Sequence, residues 1–168
     1  RIRSLLVGGA PPARPSLEAL EQAFHASGDM QLAGKEEFSG ADAIAYGTAM
    51  MGGRDLLTLE LLGSVKRADG NARRHMFASA LRGVGIDQRA VAESIDKPLC
   101  IVHGQLEPFV RLDYLRSLKY RALWKNRIFI IAGAGHAPHW QRPDAFNHVL
   151  SGFLRYAETH RWVTGARH

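Results

Sequence analysis

The chain has 168 residues, 46% hydrophobic and 23% charged, an ordinary globular composition that excludes a disordered or low-complexity protein. No run of about 18 apolar residues is present to cross a membrane, and the single cysteine, Cys100, permits neither an internal disulfide nor a thiolate metal cluster. The net charge of +6 comes from 22 Lys and Arg dispersed between Arg1 and Arg167, with no basic arm or finger spacing, so nucleic acid is not an expected partner.

Arg1 to Gly9 begins abruptly, without an initiator Met and with too short an apolar stretch for a signal-peptide core. Residues 3–8 read as a strand with both faces buried, closed by Gly8-Gly9-Ala10-Pro11-Pro12. Residues 16–95 are mostly helical. Ser16 caps a first helix that Gly28 ends, and Ala41 to Met51 forms a second between Ser39-Gly40 and Gly52-Gly53. Arg54 to Lys66 is a third, with Leu56, Leu59, Leu62 and Val65 near one face, and Asn71 to Leu81 follows the Asp69-Gly70 break. Short helices interrupted by glycine suit a lid rather than a long bundle.

Pro98 to His103 is a buried strand, with Gly104 letting the chain turn sharply at its end. Leu112 to Leu118 looks helical, and Arg127 to Ala132 is another buried strand ending in Gly133-Ala134-Gly135. The last helix starts near Pro143, with Asp144 beside its positive end and Phe146, Val149, Leu150, Phe153 and Leu154 as its apolar stripe. Strand, helix, strand, helix in this order makes a right-handed crossover unit of a parallel sheet. The fold class is therefore α/β, divided into a strand and turn (1–15), a helical lid (16–95) and the crossover unit (96–168).

In such sheets ligands and catalytic groups gather at the carboxyl ends of the strands. Glu107 lies just past the strand that ends at Gly104, and His136 directly follows Gly133-Ala134-Gly135. A carboxylate and a histidine on neighbouring strand ends can hydrogen-bond, the carboxylate fixing the imidazole tautomer and stabilising the imidazolium. Asp113 is an alternative acid, set inside a predicted helix. Phe109 and Trp140 flank the two positions and are pocket-wall or core residues with equal claim. Cys100 and His103 read as structural, as do Met50-Met51. His139, three residues past His136, has no further ligand at metal spacing, and Gly8-Gly9 lacks nucleotide-loop spacing.

Pro98-Leu99-Cys100-Ile101-Val102-His103-Gly104-Gln105-Leu106-Glu107-Pro108-Phe109-Val110 resembles the acid-bearing strand and loop of the α/β-hydrolase family. Gly133-Ala134-Gly135-His136-Ala137-Pro138-His139-Trp140-Gln141-Arg142-Pro143 resembles its catalytic-histidine loop, and Phe146 to Leu154 its closing helix. Leu5 to Pro12 resembles the strand that leads into the cap, which places 16–95 as the cap. The resemblance implies that Glu107 is the triad acid, where the family more often has Asp, and His136 the base.

None of the nine serines stands in a Gly-x-Ser-x-Gly turn; Gly47-Thr48-Ala49-Met50-Met51-Gly52-Gly53 is the nearest imitation. The expectation is thus the C-terminal part of an α/β-hydrolase sheet with a helical cap, the nucleophile belonging to sequence before Arg1. The implied activity is hydrolysis of an ester or similar small acyl substrate without a cofactor or metal. The alternatives are a carbon–carbon bond hydrolase of the same family and a non-catalytic binding remnant. Expected partners are a small-molecule substrate and either an N-terminal half or a second copy at the unpaired strand edge; the expected location is the cytoplasm.

Overall fold

A computed structural model describes residues 2–27 and 31–160. Three parallel strands form its sheet in the order β1 (Leu5–Gly8), β2 (Leu99–Gly104), β3 (Phe129–Ile131). Leu5 pairs with Leu99 and Gly8 with Val102 on one side of β2, while Val102 pairs with Phe129 and Gly104 with Ile131 on the other. All six residues of β2 are buried. Strand alternation explains why an unbroken apolar run suits this position. Leu99 and Ile101 face one core with Val110, Tyr114, Leu115 and Leu118, and Cys100 and Val102 face the other with Trp124, Phe129, Ile131 and Phe153.

The outer strands are less enclosed than their sequences imply. β1 is only partly buried, since among the described residues it pairs with β2 alone. Ile130 in β3 is 41% exposed.

Between β1 and β2 the chain forms α1 (Leu17–Ala23), α2 (Gly40–Met51), α3 (Leu59–Arg67), α4 (Gly70–Leu81) and α5 (Gln88–Ser94). Ser16 caps α1 through Ala19 N–H, and Phe24 ends it; the terminator expected at Gly28 lies outside the described residues. Ser39 and Asp42 form a capping box on α2, and Gly52, at φ 71°, ends it in the left-handed conformation that glycine adopts without strain. The single helix expected over 54–66 is divided. Arg54–Leu56 is a short 3-10 turn, and Thr58 caps α3 afresh by accepting from Leu61 N–H. This split leaves Leu59 at 88% exposure instead of on a buried stripe.

After β2 come α6 (Leu112–Ser117), β3, α7 (Pro138–Gln141) and α8 (Pro143–Thr159). The short α7, opened by Pro138, is too brief to show a periodic pattern in the sequence. On α8, Phe153 is buried and Phe146 and Val149 pack on the second core, but Leu154 points out at 46% exposure. Among the described residues no helix is long and apolar enough to cross a membrane.

Candidate active site

The loops after β2 and β3 meet because Gly104 leaves room for them. A Cβ on Gly104 would lie 2.0 Å from the Gly135 carbonyl oxygen, so only glycine lets the two backbones approach. Its φ is not positive, so close packing rather than a sharp turn is the reason for glycine. Leu106 N–H then donates to Ala134 O at 2.7 Å, and the Gln105 side chain accepts from Gly133 N–H at 2.9 Å.

Glu107 and His136 are brought together by these bonds. His136 Nδ1 is 2.9 Å from both Glu107 carboxylate oxygens, and the Glu107 side chain is only 1% exposed. Oε1 also accepts from the backbone N–H groups of Phe109 at 2.9 Å and Val110 at 3.3 Å. Burial pushes this carboxyl up. The hydrogen bond and charge of His136, aided by the two amides, more than offset it and leave Glu107 below its usual range. An anionic Glu107 takes the Nδ1 proton as a hydrogen bond, which leaves Nε2 as the basic nitrogen. Among the described residues Nε2 has no hydrogen-bond partner.

Phe109 is buried and meets the imidazole edge-on, with centroids 5.0 Å apart. Its own segment is clamped by the end of α1, where His25 N–H donates to Phe109 O at 2.7 Å and Phe24 bridges Val110. Trp140, by contrast, makes no ring contact with Phe109 or His136 and is 48% exposed. Asp113 points to solvent in the first turn of α6, in a long contact with Arg116 at 3.7 Å, well apart from the pair in role. His103 is buried, and burial holds its imidazole below the usual range; His139 packs edge-on against Phe146.

Four contributors escape the motif reading. Gly9, at φ 67°, faces the imidazole: a Cβ there would lie 3.2 Å from His136 Cε1 and 3.5 Å from Nε2. A glycine directly after a strand end was the available signal. The carbonyls of Met50 and Met51 and the side chain of Gln141 bind the histidine loop from the other side, and no local pattern marks them. Two surface concavities, of about 460 and 390 Å³, involve neither Glu107 nor His136. The chemistry is located by the coupled pair, since an open groove without coupled titratable groups offers nothing comparable.

This architecture is the C-terminal portion of the α/β-hydrolase fold, with the acid loop after β2, the histidine loop after β3 and helices inserted after β1. A mutant of the N-acyl homoserine lactonase AidH, complexed with N-hexanoyl homoserine lactone, superposes with a TM-score of 0.87 at 35% identity, over 94% of this chain and 57% of the lactonase. The meta-cleavage product hydrolase CumD of Pseudomonas fluorescens IP01 gives 0.65 at 16% identity, over 90% of this chain and 55% of that one. The carboxylesterase CesB of Bacillus subtilis gives 0.60 at 18% identity, over 90% and 50%. The chain thus spans just over half the length of the lactonase. No family profile matches the chain, and no curated protein does.

Proposed function

We propose that this chain supplies the base and acid of a serine hydrolase that cleaves an ester or similar small acyl substrate. The observation that carries the reading is His136 Nδ1 held 2.9 Å from both oxygens of a buried, anionic Glu107, with Nε2 beside the side-chain-free Gly9. Nε2 takes the proton of a serine as it attacks the acyl carbon, and Glu107 stabilises the imidazolium. Nε2 then returns the proton to the leaving oxygen, and a water that Nε2 deprotonates hydrolyses the acyl-enzyme. No cofactor enters this scheme.

The nucleophile and the oxyanion donors belong, on this reading, to sequence before Arg1, pairing at the edge of β1 that is unpaired among the described residues. Cys100 is no substitute, because it is buried in mid-strand and burial pushes its thiol up to about 12. The helices of 16–95 form the cap, and Phe109 walls the pocket. The 35% identity to a lactonase complexed with an acyl homoserine lactone favours acyl lactones as the ester class. A lone buried thiol suits a reducing cytoplasm.

The test is hydrolysis of a panel of short-chain esters and acyl lactones by this chain alone and joined to its N-terminal sequence. Turnover by the joined protein, lost in His136→Ala, is expected. A folded joined protein that hydrolyses nothing and takes no label from a serine-directed phosphonate would instead indicate a binding remnant. Hydrolysis confined to carbon–carbon bonds would replace the ester reading.

A further inference from the structure

The C-terminal end of α2 should leave four backbone carbonyls without helical partners. Here each has a named donor. Gly53 N–H and Gly52 N–H bond the carbonyls of Thr48 (3.0 Å) and Ala49 (3.1 Å) through the left-handed turn at Gly52. The remaining two are taken by the histidine loop: His136 N–H donates to Met50 O at 3.2 Å, and the Gln141 amide nitrogen donates to Met51 O.

Gln141 uses both ends of its side chain. Its Oε1 accepts from Gly135 N–H at 2.7 Å, one residue before the imidazole, while its Nε2 reaches across to α2. The two backbones are packed directly together. A Cβ on Gly135 would lie 3.3 Å from both Gly52 N and the Met51 carbonyl carbon, and 3.2 Å from Gln141 Nε2. A primary amide can accept from one backbone and donate to the other at once, whereas a carboxylate of the same length can only accept.

We propose that Gln141 is a positioning residue that locks the His136 loop to the end of α2, so that the helical segment and the general base keep one fixed relation. This rests on the hydrolase reading above. Glu107 holds the imidazole from the β2 side, and Gln141 holds its backbone from the α2 side. A lift of α2 would therefore carry His136 out of line with a nucleophile.

The test compares Gln141→Leu and Gln141→Glu with wild type in the joined protein, at a temperature where all three are folded. Amide exchange at Gly135 and His136 is expected to quicken by about tenfold or more in Gln141→Leu. The value of kcat should fall about 10- to 100-fold with little change in KM. In Gln141→Glu the deficit should shrink as pH falls, because a protonated carboxyl can again donate to Met51 O; in Gln141→Leu it should stay constant with pH. Unchanged exchange at the two amides, or wild-type kcat in a folded Gln141→Leu, would overturn the proposal. Exchange is read whether or not substrate turns over, so a wild type without His136-dependent hydrolysis would sink the hydrolase reading while exchange still decides the lock.

Discussion

The sheet unit and the helical segment are stabilised in different ways. Around β2, two buried clusters lie on opposite faces of one strand, and Phe153, Trp124, Leu99 and Ile101 are nearly inaccessible. In α3 and α4 no side chain is buried, and Leu59, Met76 and Leu81 stand exposed. α3 and α4 rely on their caps, and α4 also on the ion pair of Arg74 with Glu36 at 2.8 Å, while Lys35 and Asp42, 2.6 Å apart, tie down the start of α2. The sheet unit is held by packing, which α1 and α5 share through Ala23 and Ala92, whereas α3 and α4 are held by their ends. The site lies where the two meet, with its charged pair on the sheet side and the carbonyls of Met50 and Met51 supplied by the other.

That contrast can be broken by mutation. Phe153→Ala should cost about 3–5 kcal/mol in chemical denaturation, since it empties a core site that is 1% exposed. Gly104→Ala should cost about 3 kcal/mol or somewhat less and depress turnover, because the new methyl meets a backbone carbonyl that cannot rotate away. Ser39→Ala should cost about 1 kcal/mol through loss of the α2 cap, and hydrogen exchange should place the damage in residues 40–51. Leu59→Ser should stay within about 0.5 kcal/mol of wild type. A larger loss there would mean the helical segment has a covered core after all.

Acid sharpens the same comparison. The Lys35 and Ser39 bonds hold Asp42 down at about 2, against an ordinary 3.8. A carboxyl lowered in the folded state stabilises above its unfolded pKa, and this is lost as pH falls through its folded value. Loosening of α2, followed by amide exchange, is therefore expected between about pH 4 and pH 2. Asp42→Asn should remove that pH dependence.

How much of this was legible beforehand follows the same division. The buried run Leu99 to His103 and the strand-end positions of Glu107 and His136 could be read because a parallel strand is apolar on both faces and its loops carry the polar groups. The helical segment was harder. A capping residue, Thr58, interrupts an otherwise continuous 54–66 pattern, and exposed leucines mimic a buried stripe. Met50 and Met51 join the site through backbone carbonyls, which any residue type can supply, while Gly9 and Gln141 join it through tertiary contacts that no local pattern announces. In the sequence Gly104 reads as conformational freedom, whereas the Gly135 carbonyl oxygen across the loop is what excludes a side chain.

The central claim is that a buried Glu107 makes His136 a base. The most direct measurement is the rate at which a serine-directed phosphonate labels the joined protein, compared between wild type and Glu107→Gln. An amide in place of the carboxylate keeps the size of the side chain but cannot hold the Nδ1–H tautomer with a negative charge. Labelling is expected to slow by about 10⁴-fold with the fold intact. Labelling at the wild-type rate would contradict the account.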